Sequence, residues 1–290
     1  MQDRLLEKLT VPHLDERKRL SDIAPELFKA LPSKKSIKKA IKSGHVYIDE
    51  KRGQTADFIK GGEVLELFEN KKAVVKPTIE YPIEVVFEDD YLAVVHKPAG
   101  ILVSGNKKIT LENSLPSNLK RSTQPDALDR PEPIHRLDYP TSGALLIGKT
   151  QEAVIALNKV FESRSINKQY LAITIGEMPV NGIIEGEVDG KRAKSAYKVL
   201  KSEISERFTY LNLVELTLFT GRRHQLRKHL SSIGNPILGD AEYGKEGLIL
   251  KGKGLYLHSY LLEFTHPFTN EKMKVVAPVP KKFKKIFDWD

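Results

Sequence analysis

Cysteine is absent from this 290-residue chain, which removes disulfides, thiolate nucleophiles and thiolate metal sites together. The eight histidines fall into no HExxH-like or other ligand spacing, so no structural metal is expected. There is no GxGxxG and no P-loop, which disfavours a nucleotide cofactor. No window approaches the roughly 20 uninterrupted apolar residues that a bilayer-spanning helix needs. The start, MQDRLLEKLTVPHLDERKRL, lacks the apolar core and cleavage site of a secretory signal, so the expected location is the cytoplasm. Repeats, low-complexity tracts and heptads are also missing, and a monomer is the default.

What is present in excess is positive charge. Lys and Arg number 47 against 38 Asp and Glu, a formal net charge of +9, which favours polyanionic partners although many ordinary basic proteins share it. The length suits about two domains. ENKKAVVKPTIEYP (69–82), charged at one end and bounded by proline at the other, has the character of a linker, so the expected division is 1–75 and 76–290.

In the first segment Leu20, Ile23, Leu27, Phe28 and Leu31 recur at helical spacing, with Pro25 acceptable only in a first turn. A second helix follows, with Ser33 as N-cap, Gly44 as stop and Ile37, Ala40 and Ile41 on one face. Lys34, Lys35, Lys38, Lys39 and Lys42 cover the rest of it, either as a solvated face or as a surface for phosphates. Strands are expected at 45–49 and 63–68, giving a small α+β unit.

The larger segment opens with a hairpin turning at Glu88, Asp89 and Asp90, followed by a long polar surface excursion over 102–133. A strand GALLIG (143–148), an amphipathic helix over 153–161, further strands and a last helix over roughly 222–233 complete it. Consecutive strands with few helices between them predict an α+β fold with a mainly antiparallel mixed sheet.

HRLDYPTSG (135–143) places an acid just ahead of the strand GALLIG. Asp138 there is either a turn residue bonding its own backbone or a carboxylate held beside a ligand and kept ionised by an arginine. Arg136 is one source of that arginine; Arg222, Arg223 and Arg227 in TGRRHQLRKHL are another, with Arg223 and Arg227 one turn apart and Thr220 able to cap the helix into an anion site.

HRLDYPTSGALLIGKT, KQYLAITIG, TGRRHQLRKHLSSIGNPILGDAEYG and LHSYLLEFTHP stand in the order of the RluA family of RNA pseudouridine synthases, which VVHKPAGILV also resembles. The resemblance covers 83–280. Residues 18–68 resemble the alpha-L RNA-binding module that many of these enzymes, and a ribosomal protein, carry. It implies a cofactor-free isomerisation in structured RNA: a uridine base is detached at nitrogen, turned and rejoined through a ring carbon.

In that resemblance Asp138 matches the essential aspartate, Tyr170 the tyrosine that stacks on the base and serves as a later general base, and Arg227 the arginine paired with the acid. Arg136 matches an arginine that fills the space left by the extruded nucleotide. Arg222 and Arg223, with the five lysines of 34–42, complete the expected RNA contacts. Val103-Ser104-Gly105 replaces the family's usual histidine-proline, and Lys34-Lys35 replaces the arginine usual in the module. The front module favours ribosomal RNA first and transfer RNA second; the alternative function is an RNA-binding or ribosome-assembly factor on the same fold that no longer reacts.

Overall fold

The computed structural model describes residues 4–31, 33–68, 76–250 and 252–288, apart from the side chain of Lys35. Residues 69–75 of the expected linker lie outside these. The chain falls into two compact units that divide between Val75 and Lys76.

The first unit runs β1 (Leu5–Thr10), β2 (Lys18–Arg19), α1 (Leu20–Leu27), α2 (Lys34–Lys42), β3 (Val46–Ile48), β4 (Lys51–Arg52), β5 (Phe58–Ile59) and β6 (Val64–Phe68). Its main sheet has the order β1-β6-β3-β4. In α2 the Ser33 side chain accepts from the Ser36 N–H at 3.1 Å, and Gly44 leaves the helix at φ +78°, as the spacing predicts. Ile37 and Ile41 reach the core beside Leu20, Ile23, Phe28, Leu65 and Leu67. Helix α1 departs from expectation. Pro25 lies past the first turn and the chain leaves the helix at Phe28, so Leu31 is not part of it. Burial of Leu20, Ile23, Ala24 and Phe28 outweighs the one backbone donor that proline removes.

The second unit runs β7 (Glu84–Glu88), β8 (Leu92–Lys97), α3 (Leu111–Asn118), β9 (Ala127–Pro133), β10 (Ser142–Thr150), α4 (Gln151–Glu162), β11 (Asn167–Ile175), β12 (Asn181–Val188), β13 (Lys191–Ser205), β14 (Thr209–Leu218), α5 (Gln225–Ser232), β15 (Leu257–Thr265), β16 (Lys272–Val276) and α6 (Lys281–Lys284). The sheet order is β12-β13-β14-β11-β15-β10-β8-β7, with β9 against β10 and β16 against β15. Its ladders are antiparallel except β10 with β15, the mixed, mainly antiparallel sheet that the strand pattern predicts.

All nine residues of β10 are buried because apolar clusters cover both faces. Leu145 and Ile147 enter one cluster with Leu111, Leu115, Leu171 and Leu216, while Ala144 and Leu146 enter another with Leu157, Leu262 and Phe264. The stretch 102–133 is therefore no simple surface excursion. It contains α3, capped by the Thr110 side chain and sinking Leu111 and Leu115, and then β9. Pro116, Pro131 and Pro133 disguise both elements in the sequence.

Candidate active site

Asp138 lies in the loop between β9 and β10, and the backbone around it is tied at several points. The Thr141 N–H donates to the Asp138 carbonyl at 3.0 Å, and the Gly100 N–H donates to the Tyr139 carbonyl at 2.8 Å. Beneath the loop Lys97, fully buried, donates to the carbonyls of Pro98 at 3.0 Å, Tyr139 at 3.3 Å and Thr141 at 2.7 Å. Burial pulls its ammonium down to about 8, against the opposing pull of the Asp138 charge.

Downstream, Gly143 at φ +118° faces Ser259 on β15; a Cβ there would meet the Ser259 carbonyl oxygen at 2.2 Å. Only glycine permits this approach of β10 to β15. Upstream, His135 stacks on Phe161 with ring centroids 4.8 Å apart and accepts the Leu146 N–H at 3.1 Å through Nε2. Burial pushes that imidazole down to about 3, which keeps it a neutral acceptor.

A cleft of about 350 Å³ brings Arg136, Asp138, Thr141, Tyr170, Arg222, Arg223, His224 and Arg227 together. The site residues named for the second unit thus share one cavity, though they make unequal contacts with the acid. Arg227 Nη1 is 4.0 Å from Asp138 Oδ2, and His224 Nε2 is 3.7 Å from Asp138 Oδ1. Arg136 and Arg223 are exposed on the rim. The Thr141 hydroxyl is buried and has no hydrogen-bond partner among the described residues.

Arg227 has a stronger partner than Asp138. Its Nε and Nη2 donate to the two carboxylate oxygens of buried Asp240, each at 2.8 Å, and Nη2 reaches Glu242 at 3.2 Å. The fork is fixed by Asp240, which also accepts the N–H groups of Glu242 and Tyr243 at 3.0 Å, so Nη1 is left to face Asp138. Burial works to lower the guanidinium's proton affinity, but Asp240, Asp138 and Glu242 together hold it raised. Tyr243 completes the frame, its ring centroid 4.8 Å from the Arg227 guanidinium and its hydroxyl 3.0 Å from His224 Nδ1.

Tyr170 is buried on β11, and its phenol is pushed up to about 12 by that burial, the Ser259 hydrogen bond opposing and the Asp138 charge adding. It is neutral at ordinary pH, which suits stacking; service as a base would require loss of a proton against this shift.

The start of α5 differs from the sequence expectation. The helix begins at Gln225, after His224 in the left-handed region at φ +54°, so Arg222 and Arg223 precede it and Arg223 does not share a helical face with Arg227. Thr220 is no cap. Its hydroxyl donates to Gln225 Oε1 at 2.7 Å, and the same oxygen accepts the Arg222 N–H at 3.0 Å, so the turn closes on itself and no anion site of the expected kind forms. Sequence reasoning also missed Lys97, His224, Asp240 and Glu242; their only signal was membership of KPAG, RRHQLR and GDAEYG.

In the first unit Lys34, Lys38, Lys39 and Lys42 are exposed on α2. Lys34 pairs with Asp22 at 2.6 Å.

The family model for RNA pseudouridylate synthase matches residues 91–232. A Xanthomonas campestris protein named ribosomal large subunit pseudouridine synthase D is 31% identical, covering 98% of this chain and 92% of its own. An Aquifex aeolicus RNA pseudouridine synthase is 33% identical over 89% of each chain. Among solved structures, human RNA pseudouridylate synthase domain containing 1 shares the fold at a TM-score of 0.58 and 23% identity, covering 70% of this chain and 86% of its own. Human RNA pseudouridylate synthase domain containing 4 aligns at 0.55 and 25% identity, covering 69% and 90%. A sheet of this topology, an acid and a guanidinium meeting in one cleft, and relatives matched along nearly the whole chain lead to one assignment: the protein belongs to the RluA family of RNA pseudouridine synthases.

Proposed function

We propose that this enzyme isomerises uridines in large-subunit ribosomal RNA, in the cytoplasm, with Asp138 as its essential catalytic group. The observation that carries the reading is the meeting of a partly buried Asp138 with Arg227 at 4.0 Å in the cleft that buried Tyr170 also lines. The names of the relatives from Xanthomonas campestris and Pseudomonas aeruginosa support the ribosomal substrate.

The reaction conserves electrons. A glycosidic bond to a ring nitrogen breaks, one to a ring carbon forms, and the proton lost by that carbon is matched by one gained at nitrogen. A fixed carboxylate and a place for the base meet that demand without a cofactor; the carboxylate attacks either the sugar or the base. Bringing the uridine into the cleft requires unstacking it, at a cost of a few kcal/mol. Stacking on Tyr170 and the cations at the rim, Arg136, Arg222 and Arg223, offset that cost. Arg136 occupies the place the nucleotide vacates, and the unpartnered Thr141 hydroxyl gains a partner in the bound nucleotide.

The first unit acts as an alpha-L RNA-binding module. The lysines of α2, Lys34, Lys35, Lys38, Lys39 and Lys42, attract phosphates without reading sequence. The catalytic reading is tested with Asp138→Asn: pseudouridine formation should fall by at least about 10²- to 10⁴-fold, and a variant that still converts uridine overturns the assignment. The substrate is tested by mapping pseudouridines lost when the gene is deleted. Sites lost from ribosomal RNA support the reading; sites lost only from transfer RNA replace it.

A further inference from the structure

The Asp138 cleft adjoins a groove of about 760 Å³, and Phe161, Lys168, Leu218, Gly221 and Arg222 line both. The volume lies in the range of small-ligand sites, about 300–1,000 Å³. Phe161 and Lys168 form the sill between the two cavities, with Lys168 Nζ 4.9 Å from the Phe161 ring centroid.

Beyond the sill two side chains stand out. Phe219 follows the end of β14 with 44% of its surface exposed and lines the groove. Lys194 Nζ, held by Glu185 at 2.6 Å, approaches its ring at 5.7 Å. Arg164, in the turn after α4, is exposed at φ +58° and makes no side-chain hydrogen bond or ion pair among the described residues.

The charge balance of the groove favours an anion. Of its two acids, Glu263 is engaged by Asn167 at 2.8 Å and Lys274 at 3.7 Å. That leaves Glu162 against Arg164, Lys168 and Arg222. Cations beside an exposed aromatic face are what a single-stranded polynucleotide uses, phosphates on the first and a base on the second.

We propose that this groove is a subsite for the RNA strand beside the target uridine, with a neighbouring base stacked on Phe219 and backbone phosphate held by Arg164 and Arg222. The proposal rests on the reading of the Asp138 cleft as the uridine site. A strand whose uridine enters that cleft must continue over one of its edges, and the sill leads to this groove.

The test is a double-mutant cycle on the full-length chain. RNA fragments carrying the mapped target uridine are prepared intact, or with an abasic residue at the nucleotide before or after it. Dissociation constants and pseudouridine formation are measured in parallel for the wild type, Phe219→Ala and Arg164→Gln. Removal of one neighbouring base should weaken wild-type binding by about 5- to 50-fold. Phe219→Ala should weaken binding of intact RNA by a similar factor and lose little more on that abasic RNA, while Arg164→Gln should weaken binding on every RNA. Independent, multiplicative effects at both neighbours, or unchanged binding of intact RNA by Phe219→Ala, overturn the subsite. Absence of turnover by the wild type counts against the uridine-site reading instead, since the binding cycle is read separately. Equal melting temperatures separate lost binding from lost fold, and Arg164→Gln supplies a second variant at an exposed position.

Discussion

In the unit up to residue 68 the described lysines of α2 stand in solvent over a small apolar core, whereas in the unit from residue 76 onward Lys97 and Arg227 are buried and held by named acceptors. A lysine in water keeps its hydration and attracts phosphate at long range with little commitment to geometry. A buried cation has given up its hydration, so its partners must replace that water, and in doing so they acquire fixed positions. The basic composition thus divides into solvated charge, to which we assign the recruitment of RNA, and buried charge held by fixed partners around the loop of Asp138.

The sharpest way to break this contrast is at the buried guanidinium. Asp240→Asn removes the bidentate clamp on Arg227; it should cost about 3–5 kcal/mol of stability, measured by urea unfolding, and lower the rate of pseudouridine formation as the fork loses its aim at Asp138. A neutral result would mean that Glu242 and Asp138 alone can hold the arginine.

Lys97→Met comes next. The carbonyls of Pro98 and Thr141 lose the Lys97 donor, at about 1–3 kcal/mol for each that stays dry, that of Tyr139 keeps the Gly100 N–H, and the loop carrying Asp138 loses its tie. The folded-state value near 8 lies below the ordinary 10.5, so between them the unfolded chain binds the proton more tightly. This group's contribution to stability therefore improves as pH rises from about 8 towards 10.5. The stability difference between wild type and Lys97→Met should shift in favour of the wild type over that window in urea titrations.

His135 gives an effect of the same sign at lower pH. Its folded-state value near 3 against an ordinary 6.5 means that the unfolded chain takes up the proton first. Stability from this group is complete above about pH 6.5 and is lost as pH falls towards 3; His135→Asn should flatten that part of the acid-unfolding curve. The mildest change is expected in the first unit. Replacing Lys38, Lys39 and Lys42 with glutamine should reduce the salt slope of RNA binding by up to about 2, at roughly 0.7 per phosphate contact, and leave the melting temperature nearly unchanged.

The contrast also explains which features the sequence revealed. Strand β10 was evident because a strand buried on both faces is written as an uninterrupted apolar run, and α2 because its cap, its face and its stop are all local. The hairpin from β7 to β8 was equally plain from its acidic turn. Helix α3 and strand β9 were obscured by Pro116, Pro131 and Pro133, which local reasoning assigns to loops. At the site, the resemblance placed Asp138, Tyr170 and Arg227, and the structure sets all three around one cleft. The link from Arg227 to Asp240 was not legible, because a partner 13 residues away across a turn leaves no periodic trace. The start of α5 was misjudged for a related reason: Gln225 satisfies the turn through its side chain, a role no propensity scale assigns to glutamine.

One consequence of the backbone approach at Gly143 concerns how the enzyme can change. The peptide from Asp138 to Gly143 is gripped from below by an ammonium and pressed at its far end against a neighbouring strand, so its length has no slack. An inserted or deleted residue in that span would displace the carboxylate by a full peptide unit. Adaptation to a different RNA is therefore confined to the surfaces around the opening, where a side chain can be exchanged without moving the acid.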